Sequence, residues 1–341
     1  MTSLLKHFPL VAILGASCTA SAADPAELAK RLHHAAEMSS LDDPALKPWH
    51  LKVTFQLLEK KGPTTEEGTI EEWWSGESDK RIYTSPSYNA TEIRRDNEVY
   101  RTKDQSPTPY LLGLLRDEVV HPVADDAEVN DAVPELHVEG FGKVKLDCIM
   151  LNRQVRNLAY PPLGMFPTYC LSQDTDRLRG SLRNGSENVA RNAIGMFQGR
   201  AVAVDLSVSE QTGLVAKGHI ATLAASPQDE HFFDLDNTMG PKSTDPVKVE
   251  LKVIAKSKIS GEVPVFPIED KNSRTSGAVH IHVLIGTDGH IHQLSLIDAP
   301  SPTLAASALD SVRTWVYKPY LVNGLPCSVD TIVTVNYAFG D

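Results

Sequence analysis

Four histidines offer the densest chemistry in the sequence: His280, His282, His290 and His292 flank Thr287-Asp288-Gly289. Neutral imidazole is a common metal ligand and titrates near neutrality, so such a group could hold a cation or respond to pH. If Ile285 faces Ile291 across the turn, all four lie opposite the apolar row, with His282 diagonal to His292. No cysteine or carboxylate stands at clear ligand spacing beside them, so the expectation is an exposed polar face and no metal. His33 and His34 are adjacent on a helical stretch, cannot share one face, and read as solvated. No GxSxG, HExxH, phosphate-binding loop or dinucleotide glycine motif occurs, which leaves no catalytic residue and no cofactor to assign. The expectation is a protein that is not an enzyme.

Cysteine chemistry is the second possibility. Cys148 and Cys170 sit in short apolar runs, KLDCIML and PTYCLSQ, whereas Cys327 belongs to the far end of the chain. A bridge between the first two would close a loop of roughly twenty residues and stabilise the fold by about 3 kcal/mol in the chain-entropy model. Three buried free thiols are the other arrangement the spacing allows. Nothing resembles CxxC, so a redox pair or zinc site has no support. Asn89-Ala90-Thr91 and Asn184-Gly185-Ser186 match a glycosylation pattern too common by chance to carry a role.

The elements that position these residues follow from composition and periodicity. The 341 residues carry 33 Lys+Arg against 44 Asp+Glu, a net charge of -11, which disfavours nucleic acid as a partner. Residues 1–22 pair Lys6 and His7 with an apolar run and a small-residue Ala20-Ser21-Ala22 site, the pattern of a secretory signal, so the mature chain is expected in the periplasm. Cys18, in Leu14-Gly15-Ala16-Ser17-Cys18, offers lipidation as the rival, and with it the one route to membrane contact. Asp24-Pro25 caps a helix running to about Leu41. From Trp49 the period becomes two, with Leu51, Val53, Phe55 and Leu57 on one face. Short strands follow at 68–74, 80–84, 90–94 and 98–102. An apolar, helical 107–115 comes next, then strands around 136–151, 165–171, 201–209, 214–223 and 231–235. This is an antiparallel meander, an α+β unit expected over 23–238, with 239–262 as linker and leading strand. In 263–341, alternation over 279–285, an Asp-Gly turn, a helix over 302–315 anchored by Trp315, and strands at 317–322 and 328–339 give a β-β-α-β-β order.

These last residues resemble the TonB C-terminal domain. The pattern comprises Pro264-Val265-Phe266-Pro267, Gly277-Ala278-Val279, Gly286-Thr287-Asp288-Gly289, Trp315-Val316-Tyr317-Lys318-Pro319, Asn323-Gly324 and the run from Val329 to Val335. Phe266 replaces the usual Tyr, and Glu269-Asp270 replaces a small apolar residue. The resemblance implies a domain that binds an envelope protein by strand addition, for which the last strand, with Val329, Thr331, Val333, Val335 and Tyr337, is the candidate edge. Energy transduction, the alternative, would need an anchor and a long spacer that the sequence does not display. Gly68-Thr69-Ile70-Glu71-Glu72-Trp73-Trp74, Lys80-Arg81-Ile82-Tyr83 and Asn97-Glu98-Val99-Tyr100 resemble the LolA and LppX carriers. That resemblance implies a half-barrel around a helix, with Phe55, Trp73, Trp74, Leu111 and Leu115 lining a cavity for a lipid or acyl ligand. The competing reading is a structural or interaction module with filled cores.

Overall fold

The computed structural model describes residues 23–339 except 59–63, 97, 104–105, 142–143, 154, 156–157, 159–160, 184–186, 211–212, 230 and 242–245. The signal segment, Cys18 and the Asn184 sequon lie outside the described residues. Helix α1 (Pro25–Ser39) begins as its sequence dictates: the Asp24 carboxylate accepts from the Ala26 N–H, Pro25 takes a first-turn position, and Leu28, Leu32 and Ala35 form its buried stripe. Five strands then meander: β1 (Trp49–Leu58), β2 (Thr64–Ser75), β3 (Ser78–Thr84), β4 (Asn89–Arg95) and β5 (Glu98–Thr102). After α2 (Tyr110–Val120) and α3 (Asp126–Asn130) the chain runs a second meander. It comprises β6 (Val133–Phe141), β7 (Val144–Asn152), β8 (Thr168–Ser172), β9 (Leu178–Arg183), β10 (Glu187–Phe197), β11 (Arg200–Glu210) and β12 (Gly213–Ala225). The short β13 (Met239–Pro241) adds to β5.

All thirteen strands form one antiparallel sheet, in the order β13-β5-β4-β3-β2-β1-β12-β11-β10-β9-β8-β7-β6. The two meanders meet in the middle, where Trp49 of β1 pairs with Ala225 of β12. Helices fill one face. Leu112, Leu115 and Val119 of α2 pack on Trp49, Leu51, Val53, Phe55, Ile70 and Trp74. Leu28 and Leu32 of α1 pack farther along on Ile149, Leu151, Tyr169 and Leu171. This helix-covered face also carries charge: Glu72, Arg81, Glu92 and Arg101 stand directly opposite one another across β2 to β5. Arg116 of α2 donates to both oxygens of the fully buried Glu72, at 2.8 and 2.5 Å. Burial pushes the Arg116 guanidinium down, but Glu72 more than offsets this and holds it well above its usual value.

On the opposite face Cys148 pairs with Cys170 across β7 and β8 and is bonded to it, while Cys327 is a buried free thiol. The expected strand at 231–235 is instead a run of turns, because Phe232 and Phe233 fold back onto Trp73, Ile93 and Met239 rather than extending.

The second unit contains β14 (Val247–Lys248), α4 (Leu251–Ile254), β15 (Lys258–Ser260), α5 (Ile268–Ser273), β16 (Gly277–Ile285), β17 (Ile291–Asp298), α6 (Pro302–Arg313), β18 (Val316–Tyr317), β19 (Tyr320–Val322), β20 (Leu325–Cys327) and β21 (Val329–Tyr337). Its main sheet runs β14-β21-β16-β17. Leu304, Ala308 and Val312 of α6 pack on Val279, Ile281 and Val333. Because Met239–Pro241 belongs to the large sheet and Val247–Lys248 to the small one, the passage between units falls within 242–246. The units touch: Met150, Met165 and Phe166 extend the second core, and Glu187 accepts from Tyr110 Oη at 2.9 Å while lying 3.4 Å from Arg313 Nη1. Among the described residues no helix is long and apolar enough to cross a membrane.

Candidate functional site

The strand expected to dock a partner is β21, and its geometry can be read from pairing phase. On one side it is antiparallel to β16 along its whole length. On the other it takes β14, in parallel, at Val329 and Asp330 alone. The Val247 N–H donates to Ser328 O and the Val249 N–H to Asp330 O, so the even-numbered residues turn their main-chain groups outward. The same period places the outward N–H and C=O of Ile332, Thr334 and Asn336 along the remaining stretch, where no described strand pairs with them. The residues expected at the edge are placed differently: Val329, Thr331, Val333, Val335 and Tyr337 point their side chains into the core under α6. Apolar alternation picks out the buried row, and the open groups belong to the other row.

The opposite sheet edge, β17, faces the first unit. His292 packs its ring 5.1 Å from that of Tyr110, and Arg153 Nη1 donates to Ser295 Oγ at 3.3 Å. The accessible edge of this sheet is therefore β21 beyond Asp330.

The segment before α5 is strapped along α6. Ser311 Oγ and Trp315 Nε1 both donate to Glu262 O, at 2.7 and 2.9 Å, and Ser307 Oγ donates to Val265 O at 2.6 Å. Trp315, expected as the core anchor, is half-buried: it clamps this strap and lies under Lys258 Nζ at 3.5 Å, and Tyr317 is the buried aromatic instead. Phe266 packs edge-on against Tyr337 at 5.5 Å, close to the end of β21. Asp270, one of the two departures from the family pattern, accepts from Ser301 Oγ and Thr303 Oγ1 and so ties α5 to the start of α6.

Ile285 does pair with Ile291, but a register shift follows, and the four imidazoles do not converge. His280 meets Asp298 at 2.8 Å and His282 meets Asp330 at 2.7 Å. His292 Nε2 lies 3.0 Å and His290 Nδ1 3.3 Å from the buried Asp288 carboxylate. Gly289, at φ 83°, lets the turn press against the Tyr317 carbonyl where a side chain could not fit. Among the described residues no group of three or more His, Cys, Asp or Glu is placed to hold a metal ion.

This turn carries a pH dependence. Burial pushes the Asp288 carboxyl up, but the two imidazoles hold it well below its usual 3.8. The bond to Asp288 raises His290 above 6.5 against burial, with Glu210 adding to it. Stability from Asp288 is present above its unfolded value and lost as pH falls through the depressed one. Stability from His290 is present below 6.5 and lost as pH rises through the raised value. The gap in thermal midpoint between the native chain and Asp288→Asn is therefore expected to be widest between about pH 4 and 6.5 and to shrink toward pH 8. A gap that widens steadily up to pH 8 would contradict this.

The five cavity candidates do not line one cavity. Phe55, Trp74 and Leu115 are buried in the core that α2 fills, with Leu111 packed beside them. Trp74 stacks on Trp49 at 5.8 Å, and Phe55 lies over Gly68, where a Cβ would come within 2.6 Å of its ring. Adjacent strand residues face opposite ways, so Trp73 lies on the other face, against His50 at 4.5 Å and Phe232 at 5.6 Å. Phe55 also borders a cleft of about 500 Å³, whose rim is polar, with Gln56, Glu67, Asp205 and Lys217.

Comparison with known proteins places these observations. Residues 262–339 match the family described as Gram-negative bacterial TonB protein C-terminal. No curated protein matches the chain. Among solved structures, a LolA superfamily protein from Nitrosomonas europaea is similar at 11% identity and a TM-score of 0.40, over 60% of this chain and 96% of that one. A DUF1329 family protein from Desulfovibrio piger is similar at 8% identity and a TM-score of 0.37, over 62% of this chain and 95% of that one. The chain thus carries a TonB C-terminal-like domain over residues 262–339, behind a first unit with a weak LolA-superfamily resemblance.

Proposed function

We propose that this is a non-enzymatic docking protein of the bacterial envelope, exported to the periplasm, whose TonB C-terminal-like domain binds an extended segment of an envelope protein along β21. The observation that carries the reading is the open main-chain row of Ile332, Thr334 and Asn336, on the sheet edge that faces away from the first unit. Main-chain hydrogen bonds supply affinity in strand addition, and outward side chains supply selection. Ile332 is exposed on this row and would be read by the partner. The first unit acts as the rigid body that presents this edge, a role suited to its packed, helix-filled sheet.

The test uses proline, which removes one N–H. At Thr334, where that group points outward, Thr334→Pro is expected to leave the fold intact, as edge positions tolerate proline. Val333→Pro, at a position turned toward β16, is expected to unfold the domain. A photocrosslinker at Ile332 is expected to capture an envelope protein in growing cells and to lose that adduct in the Thr334→Pro background. An adduct that survives the proline would sink the strand-addition reading.

A further inference from the structure

Between the two units lies a cleft of about 800 Å³, within the size range of small-ligand sites. It opens beside β17, so nothing said of the β21 edge bears on it. Part of its lining is apolar, including Phe166, Tyr169 and Leu294. Its charged lining comes from different elements: Arg153 follows β7, Arg183 ends β9, and Glu128 belongs to α3.

Two of these charges are uncommitted. Arg183 is held by Glu118 at 2.9 Å. The Arg153 guanidinium, by contrast, meets a single neutral hydroxyl, that of Ser295. Glu128 is half-buried, and among the described residues no cation lies within ion-pair distance of its carboxylate. Burial pushes that carboxyl up, while Arg153 and Arg183 pull it down from a distance. The opposite charges thus feel each other across the cleft without touching. A lone anion would answer Arg153 and deepen the isolation of Glu128, and a lone cation would do the reverse. A ligand carrying both charges at its two ends, with apolar groups between, answers both.

We propose that the interdomain cleft binds a short free peptide, its carboxylate at Arg153 and its ammonium at Glu128, with apolar side chains against Phe166 and Leu294. A chain end belonging to a large protein would supply one of the two charges, so the site selects free peptides over protein termini. Because Arg153 belongs to the first unit and hydrogen-bonds Ser295 of the second, occupancy bears on how the two units are held together.

The experiment is native mass spectrometry of the purified full chain with an equimolar tripeptide mixture, and with the same mixture N-acetylated or C-amidated. The free mixture is expected to give one-to-one adducts with dissociation constants below about 1 mM, weakened about tenfold or more by either cap. Glu128→Gln and Arg153→Gln remove no ion pair and are expected to stay folded by circular dichroism while each loses the adduct about tenfold. Glu128→Gln should make the protein indifferent to N-acetylation, and Arg153→Gln indifferent to C-amidation. Absence of adducts from the free mixture would overturn the proposal, as would adducts unchanged by the caps or by both substitutions.

Discussion

Arg116→Leu is expected to destabilise the first unit by about 3 to 5 kcal/mol, the usual cost of stripping the partner from a buried charge. The two hydrogen bonds from Arg116 are the whole answer of α2 to Glu72, which has no exposure to water. Arg81 lies 3.5 Å from the same carboxylate but is shared with Asp79 at 2.9 Å. Glu72→Leu combined with Arg116→Leu is expected to recover most of the loss, because the penalty comes from the isolated charge more than from the missing bond. Urea unfolding midpoints of the native chain, the single variant and the double variant separate these terms. A single variant that loses less than about 1 kcal/mol would mean that water reaches Glu72, contradicting its burial.

Trp74→Ala is expected to cost a similar amount, about 3 to 5 kcal/mol. Its indole is fully buried, stacked on Trp49 and covered by α2, so truncation leaves a void that strands on both sides cannot close. The same substitution in the wall of an acyl-chain cavity would cost far less, since the space is already there. The measurement therefore discriminates between a packed scaffold and a carrier. A small loss together with a lipid-sized adduct in detergent-free native mass spectrometry would overturn the scaffold reading.

What was legible in the sequence is what local pattern controls. The Asp-Gly turn, the 279–285 alternation and the stripe of Leu304, Ala308 and Val312 each act within about a dozen residues, and all reappear in place. β9 and β10 were not legible. Their helix-covered face carries Ser181, Arg183, Glu187 and Arg191, so neither strand alternates between apolar and polar. These groups are satisfied from elsewhere: Ser181, Arg183 and Arg191 by Glu118 of α2, and Glu187 by Tyr110. Glu72 misleads in the same way, since a carboxylate beside Trp73 reads as a wet position until Arg116 arrives from a helix 44 residues later. The docking edge was half legible. Periodicity located β21, but which main-chain groups remain open depends on the phase set by β14, far away in sequence.

The row of Glu72, Arg81, Glu92 and Arg101 has one more consequence, which concerns arrangements the chain avoids. A two-residue slip of β3 along β2 would leave every side chain on its own face, so the apolar pattern by itself would tolerate it. Ile70 faces Tyr83, Glu72 faces Arg81 and Trp74 faces Asp79 in the native register. Slipping one way sets Glu72 against Asp79, two buried acids face to face; slipping the other way sets it against Tyr83. Either misregistered sheet strands charges in a dry interior, at a cost of several kcal/mol for each ion. The ladder need not make the native sheet more stable than an apolar row would, because its effect falls on the slipped sheets, which it makes prohibitively costly.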